Sequence, residues 1–202
     1  MRIFGTCLGA IEFIITLNIL VFVLTLINES FFVLFTLVPK YVLVEPWTLI
    51  TSMFTHAGFN HLLFNMIGLV FLGSYLGRLI GEGRFLRVYF LGGLAGGGLA
   101  VLTAYVGFTD VSIGVVGASG AIFAIAACLA ILRPNLRIFI FPIPFPMPLY
   151  IAVFGFMLMM SFQEGISWAG HLGGLIVGII YGNMFKNTGI GGTTKKHGQK
   201  FY

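Results

Sequence analysis

GVVGASGAIFAIAACLAI, residues 114 to 131, decides how this 202-residue chain is read. Gly117-Ala118-Ser119-Gly120 opens a run of about sixteen apolar or small residues, and Arg133-Pro134 stops it, so the stretch predicts a helix with Ser119 near its start. A hydroxyl on such a helix ordinarily bonds back to a carbonyl four residues earlier and does no more than pack. Two other polar sites in equally apolar surroundings change its weight: His61 with Asn65, and His171.

Apolar residues make up 58% of the chain and charged ones only 8%, with a mean hydropathy of +1.04. A soluble domain of this length has too little interior to hide that much apolar surface, so the fold class is all-α, a polytopic membrane protein. The apolar runs are long and unbroken, without the alternation of a transmembrane barrel, which makes the spans helical. Six are expected, at about residues 8–27, 60–79, 87–106, 117–132, 147–162 and 168–186. The N-terminal pattern is that of a retained span rather than a cleaved signal peptide. Between the first two lies a long connection, residues 28–59, too apolar for water and broken by Pro39, Lys40, Glu45 and Pro46. It reads as a segment lying partly in the headgroup region. The cluster GGLAGGG (92–98) allows close helix contact in the third span, and FPIPFPMP (141–148) is expected to be extended. These spans form one membrane domain, residues 1–187, followed by a polar, glycine-rich tail, residues 188–202, expected to be a flexible cytoplasmic extension.

Six spans place both termini on one side. Arg2, Arg78, Arg84, Arg87, Arg133, Arg137 and the lysines at 186, 195, 196 and 200 all fall there, against Lys40 alone opposite. Such a split predicts cytoplasmic termini and explains the net charge of +5 without nucleic acid. Counting back from the basic rim, Asn65 is 13 residues from Arg78, Ser119 is 14 from Arg133 and His171 is 15 from Lys186. At about 1.5 Å per residue these sites lie about 20–22 Å from that rim, in the outer half of a hydrocarbon layer about 30 Å thick. His61 stands one turn above Asn65 on the same face. Polar groups at that depth face a bundle interior or a wet cavity. Gly174 and Gly178 share a face with His171, and Gly120, Ala124 and Ala127 line span 4, so small-on-small packing can bring Ser119 to His171.

No carboxylate is expected at this depth; Glu164 falls in the outer connection before span 6. The chemistry available is therefore a Ser-His pair, with Ser119 as nucleophile and His171 as base. Asn65, His61 and the Ser119 backbone N–H are candidate donors to developing oxyanion charge. The alternatives are a solute transporter, a non-proteolytic binder of transmembrane helices, or a metal site from His56, His61 and His171. The last lacks a carboxylate or thiolate at matching depth. Cys7 and Cys128 lie at or inside apolar spans and read as small hydrophobes.

These motifs together resemble those of the rhomboid family of intramembrane serine proteases, in its compact six-span prokaryotic form. The resemblance is carried by Gly117-Ala118-Ser119-Gly120, by His171-Leu172-Gly173-Gly174, by His61-Leu62-Leu63-Phe64-Asn65 and by PWTLITSMFTHAGFNHLLFNM (46–66). It implies Ser119 and His171 as the catalytic pair, Asn65 and His61 at the oxyanion, and His56 as a structural histidine of the first loop. The implied partners are membrane lipid and other proteins' transmembrane segments, cut near their outer ends, with no cofactor, metal or nucleic acid; oligomeric state is left open. Thr48, where the family usually has Arg, and Gly170, where Ala is common, depart from the pattern. The first is expected to weaken the anchoring of the loop.

Overall fold

The computed structural model describes residues 7–139, 144–161 and 167–190. The connection around Gln163 and Glu164, Arg2, and the tail with His197 and three of the lysines lie outside them. The protein is largely helical. Helix α1 (Cys7–Ile27) leads to α2 (Glu29–Phe35), where Asn28 caps the start by accepting from the Ser30 N–H at 2.9 Å. After two short 3-10 turns and the single turn α3 (Thr48–Thr51), α4 (Phe59–Gly68) continues through one π turn (Leu69–Gly73) into α5 (Ser74–Ile80). Then follow α6 (Glu82–Tyr105), α7 (Ser119–Leu132), α8 (Leu149–Ser161) and α9 (Trp168–Asn187).

Among the described residues, three stretches are long and apolar enough to cross a membrane: Gly9–Ile27, Phe59–Ile80 and Glu82–Tyr105. The other three expected spans are helices as well, α7 and α8 short at 14 and 13 residues and α9 of 20 residues but less apolar. At 14 residues, α7 is about 21 Å long, short of the hydrocarbon thickness. One boundary differs clearly from the sequence reading. The third span starts at Glu82 rather than near residue 87, because Gly81 alone makes the turn from α5, at φ 86. Arg84 therefore sits inside the first turn of α6 and donates back across the corner to the Ile80 carbonyl at 2.9 Å. The extended proline stretch is caught in part: Met147–Pro148 pairs antiparallel with Arg137–Ile138, and α8 begins directly after Pro148.

Helix directions follow from which residues touch. A β-carbon built on Gly96 would meet the Gly170 carbonyl at 2.5 Å and the Gly120 α-carbon at 3.6 Å, while one on Gly92 would strike Ala124. Down α7 and α9, Gly120 lies against Gly174 and Ala124 against Gly178. So α7 and α9 run parallel, both antiparallel to α6. The same logic makes α4–α5 parallel to α7, since His61 lies at Gly117 and Ile122 at Gly68. Chain between two parallel helices must return the full length of the bundle, and α8 lies in that return. Arg78, Arg84, Arg87, Arg133 and Lys186 consequently gather at one end. The core clusters around α6, α7 and α9, with Phe85, Val88, Tyr89, Ala121, Ala124, Ile125, Cys128 and Leu129 fully or nearly fully buried.

The long connection 28–59 folds against the end of the bundle opposite the basic residues instead of hanging loose. Leu37 and Val115 exchange two backbone hydrogen bonds of 3.2 and 2.8 Å, tying it to the stretch before α7. The Trp47 indole donates to the Leu34 carbonyl at 3.1 Å, and Thr51 to Phe35 at 3.1 Å. Thr48 is buried and donates to the Glu45 carbonyl at 2.6 Å, so the residue at the departed position closes the turn before α3 itself. Val33, Leu43, Val44 and Trp47 remain exposed.

Candidate active site

Ser119 is the first residue of α7, and the geometry before it is set by Gly117. That glycine stands at φ 115, a region costly for any residue with a β-carbon. Its N–H donates to the Ser52 carbonyl at 2.8 Å, and a β-carbon there would lie 2.7 Å from the His61 ring. Two constraints thus fall on one residue: the chain must turn sharply, and an imidazole occupies the space above it. The turn leaves the first amides of α7, that of Ser119 among them, without acceptors inside the helix.

His171 lies one turn into α9. Ser167 caps that helix, its hydroxyl accepting from the Gly170 N–H at 3.1 Å. His171 Nε2 and Ser119 Oγ are 2.9 Å apart, a hydrogen bond between residues 52 apart in the chain. The contact depends on backbone proximity. Any β-carbon on Gly174 would run into the Gly120 carbonyl, and one on Gly178 into that of Ala124. Ordinary side chains at those positions would hold α7 and α9 too far apart for so short a bond. The imidazole is half sandwiched as well: Phe123, one turn below Ser119, stacks on it at 4.5 Å between centroids and 28° between planes. Nδ1 of His171 is buried with no hydrogen-bond partner among the described residues. Among the described residues, ring stacking rather than a third polar group holds this imidazole.

Asn65 is buried on α4 and donates to the His61 carbonyl at 2.8 Å. One of its two amide protons is thereby used and one is left. The His61 ring packs at 5.0 Å against His56, which is itself fully buried and lies within 3.3 Å of the Phe54 carbonyl through Nδ1. Among the described residues, no three His, Cys, Asp or Glu side chains converge to hold a metal ion.

The structure therefore brings Ser119 and His171 into direct contact, sets His61 over Gly117 two residues before the serine, and keeps Asn65 beneath His61. His56 stands behind His61. Phe123, Ser167 and the Ser52 carbonyl also shape the site, and sequence reading missed all three. For Phe123 the signal was there: an aromatic four residues after the serine shares its helix face.

A Rhomboid domain matches residues 44–188, nearly three quarters of the chain and all of the residues just described. This protein belongs to the rhomboid family. Among curated relatives of this rhomboid, the mitochondrial Rhomboid protein 1 of Saccharomyces cerevisiae is 27% identical over 153 residues, 73% of this chain and 44% of that protein. Rhomboid protease GluP of Bacillus subtilis is 33% identical over 138 residues, 66% of this chain and 25% of its own. The same organism's Putative rhomboid protease YdcA is 34% identical over 139 residues, 67% of this chain and 65% of that one. The matched region thus spans between a quarter and about two thirds of these relatives' lengths.

Proposed function

We propose that this rhomboid is an intramembrane serine endopeptidase that cuts transmembrane segments of other proteins near their outer ends. The observation that carries the reading is the 2.9 Å contact between Ser119 Oγ and His171 Nε2 across α7 and α9. As His171 Nε2 takes the proton, the Ser119 oxygen attacks the scissile carbonyl and forms a tetrahedral oxyanion. The remaining Asn65 amide proton, the His61 ring and the Ser119 N–H stabilise that charge. Collapse expels the amine with the proton held on His171 and leaves an ester on Ser119. Water then attacks the ester with His171 again as base, releasing the new carboxyl end. The named relatives that are called rhomboid proteases support the same reaction class.

The chain crosses the membrane six times with both termini cytoplasmic, the basic end of the bundle marking the inner face. Residues 1–187 form the protease domain and 188–202 the tail. Because α7 is shorter than the layer, Ser119 sits below the outer boundary, and the stretch 106–118 dips inward to reach it. Water and substrate approach from the outer side. Substrate segments with glycine, proline or polar residues unwind there at least cost.

The test is labelling of purified protein in lipid with a fluorophosphonate, read by mass spectrometry, alongside cleavage of a membrane-embedded substrate. Wild type gains one adduct on Ser119; Ser119→Ala gains none, and His171→Ala almost none. Cleavage falls by roughly 10⁴-fold or more in each variant and little further in the double variant, with melting in detergent unchanged. Cleavage by folded Ser119→Ala at the wild-type rate overturns the mechanism.

A further inference from the structure

At the basic end of the bundle a groove of about 290 Å³ opens between α7, α8 and α9. Its floor is apolar, with Ala130, Ile131, Val153 and Ile179 among the lining residues, and its rim carries Asn183 and Lys186. Lys186 is exposed in the last turn of α9, and among the described residues no carboxylate lines the groove. Arg133 follows α7 directly, and Arg137 is exposed in the strand beside the start of α8, so the local field is cationic. The comparison within this molecule is a larger groove of about 400 Å³ between α6 and α9, lined by Leu91, Leu94, Ala95, Val177, Ile180 and Tyr181. Among the described residues its lining carries no charged group that could select a headgroup.

We propose that the α7–α8–α9 groove is a binding site for one anionic glycerophospholipid. One acyl chain lies along the apolar floor, and the phosphate meets the Lys186 ammonium and the Asn183 amide at the rim. Asn183 already donates to the Ile179 carbonyl at 2.9 Å, which fixes its side chain and leaves its second amide proton to donate. Charge and apolar surface occur here in the order in which a lipid presents them, chain inward and phosphate at the interface. The site does not depend on proteolysis. It would brace α8 against α7 and α9 through the lipid where those helices lack close contact.

Native mass spectrometry of the full chain, released from detergent in an equimolar mixture of phosphatidylglycerol and phosphatidylcholine with identical acyl chains, tests this. Wild type should retain one phosphatidylglycerol with about fivefold preference or more. Lys186→Gln should bring the ratio close to one, and Lys186→Arg should keep it. Ile179→Trp, which fills the floor, should reduce retention of both lipids. Phosphatidylglycerol should also raise the melting temperature of wild type and not of Lys186→Gln. Replacing Lys195, Lys196 and Lys200 together with glutamine should leave the preference intact. Equal retention of the two lipids by wild type, a preference unchanged in Lys186→Gln, or one that disappears with the tail lysines overturns the proposal.

Discussion

The wedge of α6, α7 and α9 and the side occupied by α8 are built from the same kinds of residue and packed in opposite ways. In the wedge, glycines at 92, 96, 120, 174 and 178 put backbone against backbone, with no space for an added methyl at most of them. Along α8 the contact is made by side chains instead, with Leu149, Ala152 and Val153 buried and a groove left open beside them, while Gly155 lies on the exposed face with open space where a β-carbon would go. In lipid, where apolar contact between helices gains little over contact with acyl chains, close backbone approach is the main source of helix affinity. The wedge thus holds Ser119 and His171 at a fixed spacing, while α8 is joined to it more loosely.

The same substitution should have opposite consequences on the two sides. Gly174→Ala forces a methyl into the Gly120 carbonyl, which cannot rotate away. Melting in detergent should show a loss at or above the usual overpacking cost of about 1–3 kcal/mol, and Ser119 labelling should drop as α7 and α9 separate. A wild-type melting curve for this variant would mean that the wedge is not the tight half. Phe123→Ala keeps the backbone contact but removes the ring against His171. Losing a stack worth about 0.5–1.5 kcal/mol, it should lower kcat by up to about tenfold and leave KM much less changed. A pure rise in KM would show that Phe123 serves substrate binding.

A third measurement asks whether the loop belongs with the tight half. Burial holds His56, in the first loop, at a pKa of about 3, well below the ordinary 6.5, and the neighbouring His61 adds to the depression. The unfolded chain therefore binds a proton that the folded loop refuses between those values. This contribution is present above about 6.5 and is lost as pH falls towards 3. His56→Asn should flatten the fall in melting temperature over that window, measured against wild type; equal slopes would place the loss elsewhere. The smallest effect is expected at Gly155→Ala. With open space and better helix propensity, it should be neutral or stabilise by up to about 1 kcal/mol. Marked destabilisation there would erase the contrast between the two sides.

Much was legible in the sequence because membrane helices announce themselves by length and apolarity. The ends of α1, α4–α5, α7 and α9 lie within about two residues of where the hydropathy breaks fall. The start of α6 did not, since Arg84 and Arg87 read as loop. Their long side chains in fact bond back to carbonyls four residues earlier while the backbone stays helical. The fold of residues 28–59 was equally hidden. Its anchors are a bridge between Leu37 and Val115, the Trp47 indole on Leu34 and the Thr48 hydroxyl on Glu45, and none leaves a periodic trace.

By itself the sequence determined the membrane class, the main helices and which residues are candidates for chemistry, because hydropathy and residue type are local properties. Only the tertiary structure decided which of those residues meet. That α7 and α9 lie parallel, that Gly174 sits on the Gly120 carbonyl, that Phe123 covers His171, and that His61 fills the space above Gly117 are relations between segments dozens of residues apart. They depend on which helix faces fit together without side chains between them. Depth along a helix can be counted from a sequence, whereas rotation about its axis is set by the neighbours it packs against.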